Sequence, residues 1–221
     1  MTWPEVARRA GTSLLTVPLG STEQHGPHLP LSTDAEVATD LADRLAALRP
    51  DVLVAPALAY GASGEHAGFA GTLSIGLAAL ELVVLELVRS VDAFAGVVLV
   101  NGHGGNAAAV AAAVERLTTE GRHVLAWSPR VDGGDAHAGR TETSLLLALH
   151  PAAVLVSAAE PGDFRPLPEL LPALRTGGVA AVSPNGVLGD PSGATAAEGS
   201  ALLDDLVADL HLAVDRRFPL T

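Results

Sequence analysis

The run Gly-Val-Val-Leu-Val at residues 96–100 constrains the fold more than any other part of the sequence. A strand formed by these residues is apolar on both faces, which is typical of parallel sheets that helices cover on both sides. Shorter apolar runs at residues 13–18, 51–57 and 123–127 predict three further strands. Segments of helical periodicity or high Ala content predict helices at residues 34–49, 77–90, 106–119, 141–149 and 194–218.

Strands and helices alternate along the chain, and this order favours a parallel sheet covered by helices. We therefore expect an α/β fold, a three-layer sandwich in which helices flank a central, mostly parallel β-sheet. The sequence of 221 residues contains no linker or repeat, so one domain over residues 1–221 is expected.

Composition excludes several kinds of chemistry. The chain has no Cys, so a metal would have to bind His, Asp or Glu. Its 13 basic residues are all Arg, which excludes Schiff-base catalysis and the lysine of phosphate-binding loops. The net charge of −12 argues against nucleic-acid binding. No apolar run approaches the ~18 residues of a membrane span, and no signal peptide is visible, so a cytoplasmic protein without membrane association is expected.

Polar residues follow the first predicted strand. Glu23 and His25 are two positions apart and point the same way in extended backbone, and Asp34 begins the next helix. Carboxylates and an imidazole at the carboxyl end of a parallel strand are typical metal ligands. Asp34 could alternatively cap its helix, but the cluster as a whole favours a metal site.

The third predicted strand is followed by Asn-Gly-His-Gly-Gly-Asn, residues 101–106. Its glycines allow close approach of the backbone to a ligand, and His103 lies just beyond the strand. The loop could instead bind phosphate at a helix N-terminus, although it matches neither nucleotide-binding fingerprint. A metal or catalytic role and a structural turn both remain open for this loop.

Two more stretches place His and carboxylate residues at the same sheet edge. Residues 135–144 contain His137 and, five positions later, Glu142 at the start of a helix. Glu142 could simply favour the helix dipole, or it could belong to a metal site with an adjacent acid–base group. Residues 63–66 add a further pair, Glu65 and His66.

Together these motifs resemble the creatininase (creatinine amidohydrolase) family. The matching stretches occur in order over residues 14–199 and read GSTEQHGPHLPLSTD, SGEHAGFAGT, NGHGGN, HAGRTETS and NGVLGDPSGATAAEG. The resemblance implies an α/β fold with a mostly parallel sheet, a pair of divalent metals and hydrolysis of a C–N amide bond. Within the family, the sequence is most similar to the mycofactocin-system branch, which implies a peptidase that trims a modified ribosomal precursor peptide.

The resemblance implies five metal ligands: Glu23, His25, Asp34, His103 and Glu142. One departure matters, because creatininase itself has a Glu two residues after the histidine of its NGH motif, where this chain has Gly105. Glu142 is the expected replacement for that carboxylate. Asp34 would then bridge the two ions. Glu23 and His103 would complete one metal site, and His25 and Glu142 would complete the second. Each ion would keep open positions for water and substrate.

His137 matches the family's catalytic histidine and is expected to carry a proton to the leaving amine. The metals would activate the attacking water. Arg140 is predicted to pair with a carboxylate of the peptide. The full set of predicted substrate-binding residues is Ser63, Glu65, His66, Gly104 and Arg140.

The expected substrate is the modified precursor peptide, cut to release its C-terminal, cross-linked Val–Tyr-derived dipeptide. His and carboxylate ligands without thiolate suit Zn, Fe or Mn. The resemblance also implies a homo-oligomer, hexamer-like, for which the Pro-rich residues 162–172 could form an interface arm.

Three alternatives stay open. The enzyme could act on creatinine or, like a deformylase, on a formamide. The Gly102–Gly105 loop could bind phosphate without any metal. The chain could also be a non-catalytic member that kept the fold.

Overall fold

The computed structural model describes residues 1–220, and its centre is a sheet of four parallel strands in the order β2-β1-β3-β4. The strands are β1 (Leu14–Leu19), β2 (Val52–Val54), β3 (Gly96–Asn101) and β4 (Val124–Trp127). Side chains of β3 alternate between two cores: Val98 and Val100 pack into one, Val97 and Leu99 into the other. Both faces of β3 are therefore buried, as its sequence predicts.

Helices cover both faces of the sheet. They are α1 (Trp3–Arg9), α2 (Thr33–Leu48), α3 (Gly76–Arg89), α4 (Ala107–Thr119), α5 (Arg140–Leu149), α6 (Leu167–Val182) and α7 (Ala196–Arg217). One core joins apolar side chains of α2, α5 and α7 to the sheet, and the other joins those of α3 and α4 to it. The predicted three-layer α/β fold is confirmed.

The predicted elements lie within a few residues of the observed ones, except that β2 is shorter than 51–57. Two helices were missed. Helix α1 is short, and Trp3 on it is exposed. Helix α6 contains Pro172 and an interruption at Gly178, whose φ is 69°. Such residues usually break helices, which is why the sequence pattern did not predict α6. The Pro-rich residues 162–172, predicted as an interface arm, run from an irregular loop into this helix.

Asn106 ties together the loops at the carboxyl edge of the sheet. Its Oδ1 accepts a hydrogen bond from the backbone of Ala62 at 2.8 Å, and its Nδ2 donates to Gly20 O at 3.0 Å. These partners belong to the loops after β2 and β1, while Asn106 itself follows β3. The side-chain amide of Asn106 therefore sets the spacing of three loops.

Among residues 1–220, no helix combines the length and the apolar character that a membrane crossing requires.

Arg49 is the largest fully buried side chain at the opposite edge of the sheet. Its guanidinium donates to both oxygens of Asp51, at 2.9 and 2.6 Å, and to Asp215 Oδ1 at 2.6 Å. It also donates to Phe218 O at 3.0 Å. Arg49 thus joins the end of α2 to the start of β2 and the end of α7.

We expect Arg49→Met to destabilise the protein by about 3 kcal/mol, because it leaves two carboxylates without their buried partner. Urea unfolding followed by circular dichroism measures this change. Arg165→Met removes an exposed ion pair with Asp163 and serves as the control, with no measurable loss expected. Equal stability of the two variants would contradict the structural role of Arg49.

Candidate metal centre

Every predicted metal-binding side chain comes from the carboxyl edge of the parallel sheet, where ligands gather in folds of this class. Glu23 and His25 lie in the loop after β1, and Asp34 lies in the first turn of α2. His103 follows β3 directly, and Glu142 lies in the first turn of α5. The neighbouring positions of β1 and β3 in the sheet therefore bring these segments together.

Asp34 lies between two histidines. Its Oδ1 is 3.0 Å from His25 Nε2, and its Oδ2 is 3.2 Å from His103 Nδ1. The residue is buried, and Ser32 occupies the N-cap position of α2. Asp34 therefore does not cap the helix; its carboxylate is directed into the cluster, with one oxygen toward each histidine.

Glu23 is fully buried between two other histidines. Its Oε1 lies 3.2 Å from His66 Nε2, and its Oε2 lies 3.2 Å from His103 Nε2. Neither Glu23 oxygen nor Asp34 Oδ2 accepts a well-formed hydrogen bond. Buried carboxylate oxygens normally require such a partner. These buried oxygens lack hydrogen-bond donors, and a cation could compensate for them. The residues present therefore fit a metal.

Glu142 approaches the other side of His25. Its Oε2 lies 3.9 Å from His25 Nε2 and accepts a 2.6 Å hydrogen bond from the backbone N–H of Ala138. Ala138 adopts the left-handed conformation, with φ 51°. The local turn thus holds the Glu142 carboxylate toward the cluster.

Backbone carbonyls orient the imidazoles. His25 Nδ1 donates to Glu23 O at 3.1 Å, and His137 Nε2 donates to Gln24 O at 2.9 Å. In each ring the remaining nitrogen faces the carboxylates. Histidines that bind metals usually donate their second N–H to a carbonyl in this way. His137 Nδ1, 3.8 Å from Glu23 Oε1, is therefore free to accept a proton or a metal.

Gln24 is a site residue that the sequence analysis did not single out. Its Oε1 accepts from Gly26 N at 2.8 Å and its Nε2 donates to Gly186 O at 3.0 Å, which sets the orientation of the amide. The second N–H of Nε2 then donates to His66 Nδ1 at 2.8 Å. His66 Nε2 consequently carries the proton that faces Glu23. The position of Gln24 between Glu23 and His25 in the motif was the available signal.

Charges within the cluster shift several pKa values. Burial alone would lower the pKa of His25, but the charge of Asp34 and those of its neighbours outweigh it and raise the pKa to about 9. Burial alone would lower the pKa of His103 as well, but the nearby carboxylates of Asp34, Glu23 and Glu65 outweigh it and raise the pKa. Burial and the charge of Asp34 raise the pKa of Glu142 to about 7. Burial lowers the pKa of His137 well below its usual value, helped by the nearby His25 and His66.

Three groups of side chains place their ligand atoms within 4.8 Å of one another. They are Glu23 with Asp34 and His103; His25 with His137 and Glu142; and Glu23 with His66 and His137. All three members of the first group are predicted ligands. The second group combines the predicted ligands His25 and Glu142 with His137, which was predicted as the catalytic residue. The third group combines Glu23 and His137 with His66, which was predicted to bind substrate.

A pocket of about 400 Å³ opens onto this cluster. Three of the predicted substrate-binding residues, Glu65, His66 and Gly104, line it. Ser63 is instead buried and hydrogen-bonded to Ser21 Oγ. Arg140 is exposed, and its Nε donates to both oxygens of Glu198 at 2.9 Å. The placements of Ser63 and Arg140 do not favour contact with substrate.

The protonation states of the metal-free cluster predict how metal affinity depends on pH. Without metal, His25 and His103 are protonated at neutral pH and Glu142 is about half protonated, because its pKa is about 7. A metal must displace these protons, so its affinity should rise with pH. We expect the affinity for Mn²⁺ to increase at least about tenfold per unit between pH 6 and pH 8.

Titration of the metal-free protein with Mn²⁺, in competition with a chelating dye, measures this dependence. Asp34→Asn should abolish the binding, whereas Glu115→Gln, on the exposed face of α4, should leave it unchanged. An affinity independent of pH would show that these protons are absent from the binding site.

Comparison with known proteins agrees with the motifs. The chain is 50% identical over 228 residues to a mycofactocin precursor peptide peptidase of Mycobacterium ulcerans (strain Agy99), covering 99% of this chain and 87% of that protein. A peptidase of the same name from Mycolicibacterium smegmatis (strain ATCC 700084 / mc(2)155) is 53% identical over 201 residues, covering 88% and 81% of the two chains.

Solved structures agree as well. A creatininase variant of Zn–Zn type and a Mn creatininase each align with a TM-score of 0.82 at 27% identity, covering 100% of this chain and 97% of the other. Residues 1–214 match the family described as creatinine amidohydrolase. The chain belongs to the creatininase family.

Proposed function

We propose that the protein is a metal-dependent hydrolase of C–N bonds that cleaves a modified ribosomal precursor peptide of the mycofactocin type. One observation carries the proposal: the buried carboxylates of Glu23 and Asp34 have oxygens without hydrogen bonds at the floor of a substrate-sized pocket. The relatives that are about 50% identical and carry the peptidase name support the choice of substrate. The product would be the C-terminal, cross-linked Val–Tyr-derived dipeptide.

Two divalent ions would bind in this centre. Glu23, Asp34 and His103 would hold one, and His25 with Glu142 would hold the other, with Asp34 shared between them. The position of Asp34 between two histidines supports sharing. Zn and Mn are favoured by the creatininase structures, and Fe is compatible with the ligand chemistry.

When bound, the ions would supply an activated water and polarise the scissile carbonyl. The remaining chemistry falls to the chain itself. His137 is neutral at physiological pH because its pKa is lowered, and its Nδ1 faces the cluster. It can accept a proton there and pass it to the leaving amine, while its Nε2–H stays hydrogen-bonded to Gln24 O. Gln24 thereby keeps the ring in one orientation.

The alternative of phosphate binding by the Gly102–Gly105 loop is less favourable. The pocket around this loop is lined by four carboxylates, those of Glu23, Asp34, Glu65 and Glu142. Such a surface repels a phosphate ester unless cations are bound first. A creatinine- or formamide-hydrolysing enzyme would use the same metal centre, and substrate tests separate it from the peptidase.

We further propose that the protein assembles as a homo-oligomer, hexamer-like. Leu77 and Leu82 on α3 are exposed and offer an apolar contact surface. Sedimentation of the purified protein tests this assembly.

We expect the metal-loaded protein to release the C-terminal dipeptide from the modified precursor and to leave creatinine intact. Mass spectrometry of the products measures both reactions. Asp34→Asn should lose the activity together with its metal, while Glu115→Gln should keep both. Intact precursor in the presence of fully loaded protein would exclude the peptidase function, and turnover of creatinine would favour the alternative.

His137→Gln should lower kcat by about 10²- to 10⁴-fold, the usual contribution of a positioned acid–base group. Metal content, measured by elemental analysis, should stay unchanged if His137 carries protons. Loss of metal from this variant would instead identify His137 as a ligand, a role that its place in two of the three candidate groups permits.

A further inference from the structure

Helix α6 forms one wall of the pocket over the metal centre. Leu167, Leu171, Leu174 and Val179 from this helix line the pocket together with Leu188. The rest of the lining includes the carboxylates and histidines of the cluster. A binding site with an apolar wall and a few convergent polar groups is typical for a ligand whose reacting group lies beside an apolar one.

The position of α6 depends on Gly178. This residue has φ 69°, and a Cβ added to it would lie 2.6 Å from Glu65 O. The backbone of α6 therefore packs directly on the segment that carries Glu65 and His66. This contact places the leucine face of the helix beside the carboxylate and imidazole groups of the centre.

Two leucines of this wall are unusually open. Leu167 is 44% exposed and Leu171 is 36% exposed, although both face the pocket. Deeper along the helix, Val179 is buried and packs against Leu188. The wall thus runs from an open apolar rim to a closed apolar base, and a bound apolar side chain would cover the rim.

Arg175 is the arginine among the residues that line this pocket. Among residues 1–220, no carboxylate lies within ion-pair distance of its guanidinium. Arg140, by contrast, is already bound to Glu198. Arg175 is therefore the arginine at this site that is available to a ligand, and a carboxylate is the group its planar guanidinium binds best.

We propose that α6 determines substrate specificity: its leucine face holds an apolar residue next to the scissile bond, and Arg175 pairs with a carboxylate of the peptide. This inference rests on the proposed peptidase function and narrows its substrate class. The carboxylate is either the C-terminal one or an acidic side chain near the cleaved bond. Both present the same chemistry to Arg175, so the experiment has one arm for each.

The first test compares wild type, Arg175→Gln and Arg175→Lys on three peptides: one with both carboxylates, one amidated at its C-terminus and one with its acidic side chains changed to amides. Arg175→Gln should raise KM about tenfold on the peptide that keeps the recognised carboxylate and leave kcat unchanged, consistent with the loss of one charge-assisted contact. Arg175→Lys should recover part of the loss. On the peptide that lacks the recognised carboxylate, the variants should match wild type.

Arg116→Gln is the matched control, since Arg116 lies on α4 and its ion pair with Glu81 is exposed. The affinity of a fluorescent peptide for the metal-loaded His137→Gln variant, measured by anisotropy before the peptide is cut, provides a readout that is independent of turnover, and adding Arg175→Gln should weaken it about tenfold. If Arg175→Gln matches wild type on every peptide that is cleaved, the inference is overturned while the peptidase function stands. If wild type cleaves none of the peptides, the proposed function fails, and the inference fails with it.

The apolar wall has its own test. Leu171→Ser should lower kcat/KM about tenfold for a peptide with a large apolar residue next to the cleaved bond. For a peptide with Gly at that position, kcat/KM should stay unchanged. Leu212→Ser changes a similarly exposed leucine on α7 and should affect neither peptide. An equal effect of Leu171→Ser on the two peptides would overturn the assignment of the wall.

Discussion

The contacts of Asp34 with His25 and His103 hold the structure of the centre together. Burial of a carboxylate is costly unless positive charge or hydrogen bonds offset it. Asp34 and Glu23 are both buried, and histidines from different loops provide the compensation. The order of the strands therefore matters directly, because only adjacent β1 and β3 bring His25 and His103 to the two sides of one carboxylate.

Side-chain amides organise the irregular backbone around this cluster. Asn106 joins three loops at the sheet edge, and Gln24 joins the loop after β1 to His66 and Gly186. Loops of this kind lack a regular hydrogen-bond ladder, so side chains must satisfy their backbone groups. Rigid loops in turn keep the histidines in single orientations, which is what a metal centre requires.

Much of this arrangement could be predicted from the sequence. The four strands could be predicted because each is a short apolar run, and β3 is apolar on both faces. The candidate ligands could be predicted because each follows a strand or begins a helix at the same edge of the sheet. Helix α6 was missed because Pro172 and Gly178 resemble helix breakers. Arg140 was predicted to bind substrate, and Arg175 was not considered. Arg140 is bound to Glu198, which lies 58 positions further along the chain, and a local sequence pattern does not predict a contact over such a separation.

Gly105 helps to determine how closely the loop after β2 approaches the metal-binding cluster. A Cβ at this position would collide with Glu65 Oε1 and His103 Nε2, so the Glu65 carboxylate occupies the space where another side chain would begin. The flexible Glu65 side chain could move away from such an atom, but the backbone oxygen of Ala62 would also lie only 2.5 Å from it. Any side chain at position 105 would therefore displace the loop after β2, and with it Glu65 and His66, so the absence of a side chain at position 105 helps to set how close this loop comes to His103.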